Sequence, residues 1–124
     1  MVFTHREHTE LDWIRTQVQT GEYEFSEHAE QERQADKIPI ADVERALLDA
    51  EMVEDYPDDP RGSKRRFLAA LGMTNGSCLV LGYGSAGYPI HVVCGRSPRG
   101  TLRVITVYIP SLPKWLDART RARR

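Results

Sequence analysis

His28 and Glu32 stand four residues apart in the stretch Ser26-Glu27-His28-Ala29-Glu30-Gln31-Glu32-Arg33. On a helix, that spacing puts an imidazole and a carboxylate on one face, where the acid can orient the ring. Ser26 is a good N-cap, so His28 falls in the first helical turn. The helix dipole disfavours an imidazolium there, and a neutral ring can act as a general base. The same residue also reads as a surface histidine bonding near a helix end. Arg33 lies about 140° around the helix from His28 and need not share its face.

A second group comes from two late segments, Pro89-Ile90-His91-Val92-Val93-Cys94-Gly95 and Leu102 to Ile109. If they form a hairpin turning near Pro98 and Arg99, His91 falls opposite Thr106 and Val93 opposite Val104. Tyr108 then joins Thr106 and Val104 on the His91 face, because strand side chains alternate. Ile90, Val92, Cys94, Ile105, Val107 and Ile109 form the other, more apolar face, expected to meet the helices. A one-residue slip would invert the assignment. With Arg96 and Arg103 near the hairpin end, the first face offers imidazole, hydroxyl, phenol and guanidinium groups suited to a phosphodiester. Its alternative is an ordinary sheet histidine beside an amphipathic tyrosine.

Metal and nucleotide motifs are missing. Cys78 and Cys94 lack CxxC spacing and read as buried thiols. His5 and His8 fit a chain terminus, and Asp55, Asp58 and Asp59 fit a turn flanked by Pro57 and Pro60. No GxGxxG, Walker or GxSxG sequence occurs. Neither a metal nor another cofactor is expected.

The elements that must position these groups follow from periodicity. Leu11, Ile14 and Val18 recur at helical spacing after Thr9 and Asp12, until Gly21 stops the run. The helix after Ser26, about 27–37, is mostly polar and has little to bury. Pro39 opens a third helix with Ile40, Val43, Leu47 and Ala50 on one stripe. From 52 the period shortens, predicting strands at 52–56, 78–83, 89–95 and 102–109. Helices followed by hairpin-linked strands predict an α+β domain, its N-terminal helices on one face of a roughly four-stranded, mainly antiparallel sheet. The chain of 124 residues suits one domain: a helical part at 9–50, a sheet at 51–110 and a basic tail at 111–124.

Charge is unevenly spread. Residues 1–60 carry 5 basic and 17 acidic side chains, whereas residues 61–124 carry 12 basic and only Asp117 as an acid, so the net charge of −1 conceals opposed halves. The basic runs at 61–66 and 119–124 are candidate phosphate contacts; the competing reading has the two halves neutralise each other within one fold. No stretch approaches the roughly 20 apolar residues of a membrane span, and the start has no signal-peptide core. Two cysteines without a secretion signal fit a reducing, cytoplasmic setting.

Several pieces, in order, resemble the family called domain of unknown function 4258: the 26–33 stretch, 40–48, Glu54-Asp55-Tyr56-Pro57-Asp58-Asp59-Pro60-Arg61-Gly62, Ser77-Cys78-Leu79-Val80-Leu81-Gly82-Tyr83, the His91 segment, and Ile105-Thr106-Val107-Tyr108-Ile109-Pro110 with Trp115 beyond. The resemblance covers about 23–124. It implies a fold akin to RelE-like and barnase–EndoU–colicin ribonucleases, and a bacterial toxin paired with a small zinc-finger antitoxin. The family pattern runs directly from the Arg-Gly turn into the Ser-Cys strand, so 64–76 is an insertion here.

On that footing the expected activity is metal-independent RNA cleavage by 2′-hydroxyl attack on phosphorus, giving a 2′,3′-cyclic phosphate. His28 or His91 would be the base, with the other histidine or Tyr108 as the acid. Arg33, Arg61 or Arg96 would stabilise the phosphate and Thr106 would hold it. The histidines can meet only if the helix terminus reaches past the sheet edge. Alternatives are a non-catalytic RNA- or protein-binding module of the same fold, and a charge-mediated structural or regulatory oligomer such as a homodimer.

Overall fold

The computed structural model describes residues 5–56 and 76–122. Three helices, α1 (His5–Gln19), α2 (Glu27–Ala35) and α3 (Ile40–Leu48), accompany five strands: β1 (Tyr23–Phe25), β2 (Glu51–Tyr56), β3 (Ser77–Tyr83), β4 (Pro89–Arg96) and β5 (Leu102–Tyr108). The strands form one sheet in the order β1-β5-β4-β3-β2. The fold is therefore α+β, with five strands where the sequence predicts four. The added strand, β1, pairs in parallel with β5, which makes the sheet mixed. Three residues are too few to show an alternating pattern; β1 exists because β5 offers it a ladder. Arg61, the turn at 57–60 and positions 64–75 of the insertion lie outside the described residues.

Apolar periodicity explains the helix-covered face. Ile14 and Val18 of α1, and Val43, Ala46 and Leu47 of α3, are buried against Val80, Ile90, Val92, Val104 and Val107 of the sheet. Full burial of such side chains contributes about 1.5–3 kcal/mol each. At Gly82 a Cβ would lie 2.2 Å from the carbonyl oxygen of Ala46, so α3 approaches β3 too closely for any side chain there. Cys78 and Cys94 are register partners on β3 and β4, both buried free thiols. No helix among the described residues is long and apolar enough to cross a membrane.

The last hairpin departs from the expected register. His91 pairs with Tyr108 and Val93 with Thr106, two residues further along β5 than predicted. Cys94 pairs with Val104, so Ile105 is the extra residue of a bulge. The two-residue displacement leaves His91, Thr106 and Tyr108 on one face. The bulge exchanges two neighbours: Val104 joins the helix-side core, while Ile105 is buried outside that cluster.

That second face is not left uncovered. The segment after β5 folds back over it and buries Trp115 edge-on against His91, with ring centroids 4.4 Å apart. Nor is this segment a free basic tail. Arg119 binds Glu51 at 2.7 and 2.9 Å, and Arg121 binds Glu54 at 2.6 and 2.8 Å, both acids on β2. Arg96 reaches Glu10, while Arg99 and Arg103 reach Glu24. In these five pairs the acidic and basic halves neutralise each other within the fold.

Candidate functional site

Polar residues place α2. Ser26 caps it by accepting a hydrogen bond from the Ala29 N–H at 3.0 Å, and the same hydroxyl donates to the Ile105 carbonyl at 2.9 Å. One buried hydroxyl thus starts the helix and fastens its first turn to β5. Beyond Val104, β5 has no β1 partner, and its outward N–H groups need acceptors. Glu32 accepts from the Val107 N–H at 3.2 Å and Asp36 from the Ile109 N–H at 3.0 Å. His28, Glu32 and Asp36 follow one another at helical spacing of four, so this row tracks the strand edge. Their packing solves the difficulty of a mostly polar helix: it buries Ala29 in the core and otherwise caps a sheet edge.

Between α2, the end of β5 and the following turn lies a groove of about 500 Å³. His28, Glu32, Thr106, Tyr108, Lys114 and Trp115 are among its lining residues. The His28 ring is half exposed, with Nε2 at 3.3 Å from the Glu32 carboxylate. Its Nδ1 makes no hydrogen bond among the described residues. Burial pushes the Glu32 carboxyl above its ordinary value, against the opposing pull of His28, the Val107 N–H and Lys114. Burial likewise raises the Tyr108 phenol, opposed by the hydrogen bond from Trp115.

His91 does not line this groove. It is fully buried, with Nδ1 3.1 Å from the Tyr108 hydroxyl and Nε2 2.7 Å from the Ala118 carbonyl oxygen. Burial lowers its pKa below the ordinary histidine value, so the neutral ring is favoured. Tyr108 and Trp115 both touch His91 and both line the groove that holds His28. The first turn of α2 is fastened to β5 at the Ile105 carbonyl, and His28, Thr106 and Tyr108 line the same groove.

Of the expected guanidinium groups, Arg33 and Arg96 do not line the groove. Arg33 pairs with Glu30 and donates to the Ile38 carbonyl at 2.9 Å, closing the turn after α2. Arg96 stacks over Trp13 at 3.9 Å from the ring centroid. Lys114 is a cation of the groove wall, and local sequence does not single it out because its position depends on the turn after β5. Among the described residues, no group of three or more His, Cys, Asp or Glu side chains is arranged to hold a metal ion.

A family model described as Domain of unknown function (DUF4258) matches residues 25–76 and 73–109. No curated protein and no solved structure matches the chain.

Proposed function

The chain belongs to that family, and on this premise we propose that it is a metal-independent endoribonuclease, the toxin of a bacterial toxin–antitoxin pair. The observation that carries the reading is the shared groove: a half-exposed imidazole held by a carboxylate, a phenol, a hydroxyl and an ammonium group line one cavity. Its volume falls in the range of small-ligand sites and suits a nucleotide unit. The RNA 2′-hydroxyl attacks the adjacent phosphorus, and the bond to the 5′-oxygen breaks. His28, held at Nε2 by the Glu32 carboxylate, gives a proton from Nδ1 to that leaving oxygen. Tyr108 handles the 2′-hydroxyl proton, while Lys114 and Thr106 hold the phosphate oxygens. The partner of such a toxin is a small antitoxin of the zinc-finger kind, and its setting is the cytoplasm.

The test is incubation with mixed RNA, with and without EDTA, after removal of any bound antitoxin. The expected result is cleavage that survives EDTA, leaves 2′,3′-cyclic phosphate ends and falls about 10²–10⁴-fold in His28→Ala. Salt-sensitive binding without cleavage would replace this reading with a non-catalytic RNA-binding module. A salt-sensitive dimer without RNA affinity would replace it with a structural oligomer.

A further inference from the structure

The hydrogen bonds around His91 determine where its protons lie. A carbonyl oxygen can only accept, so the 2.7 Å contact with Ala118 requires a proton on Nε2. In the neutral ring, Nδ1 is then a bare acceptor. The Tyr108 hydroxyl must donate to it across 3.1 Å. Trp115 Nε1–H can only donate, and it reaches the Tyr108 oxygen at 3.1 Å. Indole, phenol, imidazole and carbonyl therefore form a chain with every donor direction assigned. The phenol proton points away from the groove, and the remaining electron pair on the phenol oxygen is available to accept.

We propose that His91 is a positioning residue that makes Tyr108 a proton acceptor, taking the phenol proton as Tyr108 takes one from the RNA 2′-hydroxyl. The proposal rests on the ribonuclease reading. The 2′ O–H bond breaks and its proton passes to the Tyr108 oxygen, while the phenol proton passes to His91 Nδ1. The freed 2′-oxygen forms its bond to phosphorus, the bond to the 5′-oxygen breaks, and His28 supplies that oxygen with a proton. The site ends with His91 as imidazolium and His28 neutral; His91 Nδ1 returns its proton to the Tyr108 oxygen, which releases one to the groove, and His28 takes one up from solvent. Throughout, His91 keeps its Nε2–H bond to Ala118, so the buried imidazolium retains a partner. The charged and titratable groups around His91 are Tyr108 on β5, Glu54 on β2, and Arg121 from the segment that carries Ala118; its neighbour on β3 is Leu81.

The experiment compares wild type, His28→Ala, Tyr108→Phe and His91→Gln in RNA cleavage, with kcat and KM measured against pH. Tyr108→Phe keeps the ring, and His91→Gln keeps an acceptor that cannot take a proton. Both are expected to lower kcat about 10²-fold or more with KM within about threefold. In wild type the acidic limb of kcat should lie below about pH 6.5, and both variants should lose it. Nitrogen-15 spectra of wild-type His91 should show the Nε2–H tautomer, a measurement independent of whether the variants fold. Wild-type kcat in Tyr108→Phe, or an Nδ1–H tautomer, overturns this inference while cleavage lost in His28→Ala leaves the ribonuclease reading standing. Wild-type protein that cleaves no RNA overturns both.

Discussion

The helix-covered face of the sheet meets α1 and α3 through Ile14, Val43, Leu47, Val80 and Val92, all buried and apolar. The opposite face meets the C-terminal segment through Trp115, His91 and Tyr108, ringed by Arg119–Glu51 and Arg121–Glu54 pairs. One covering is non-directional and indifferent to pH; the other depends on assigned protons and on charges near solvent. Such a difference teaches where chemistry can be housed. A dry layer of valines and leucines sets the shape of the sheet, so the other layer can carry a hydrogen-bonded network without having to hold the domain together alone. Perturbations should therefore separate the two faces.

Trp115→Ala is expected to have the largest effect, about 3–5 kcal/mol lost in urea unfolding, because a fully enclosed indole is removed. It should also strip the cover from His91 and detach 110–122 from the sheet, seen as faster amide exchange there. Leu47→Ala should cost about 2–5 kcal/mol through a cavity under α3. Amide protection at 110–122 should fall only as far as global stability does. Selective loss of protection there in Leu47→Ala would mean that the two layers act as one.

The same division governs what the amino-acid sequence makes legible. Apolar stripes report non-directional burial, so α3 and the strands β2 to β5 can be read to within a residue or two. His91, Thr106 and Tyr108 can be placed on one face because alternation survives a two-residue shift. The bulge at Ile105 escapes, since no residue type there demands it, and so does β1, whose existence depends on its partner. The destination of the C-terminal segment is hidden for another reason. Arg119 and Arg121 find acids 68 and 67 residues away, and local spacing carries no trace of that pairing. His28 with Glu32 is legible as a helical pair, whereas Lys114 enters the groove only through the turn after β5.

A pH series sharpens the comparison further. The folded protein lowers the pKa of His91, so below about pH 6.5 the unfolded chain binds more protons than the folded one. The stability held above that pH is then lost as the pH falls toward the folded value. Trp115→Ala should flatten this slope by hydrating the ring, and Leu47→Ala should keep it. Equal slopes in both variants would place the titration elsewhere. A separate loss is expected below about pH 4.5, where the Glu51 carboxyl, held down by its hydrogen bond and charge interaction with Arg119, finally takes a proton.

The smallest effect belongs to the ion pairs themselves. Glu51 and Arg119 are about half exposed, at 46 and 57 per cent, so water screens them and the geometry costs side-chain entropy. Glu51→Gln should lower stability by less than about 1 kcal/mol, a difference that shrinks as salt rises past physiological strength. The effect should appear first as exchange at 116–122, next to the severed contact, and leave the helix-side amides unchanged. A loss of several kcal/mol that persists in high salt would mean that charge, and not the Trp115–His91 packing, fastens this layer to the sheet.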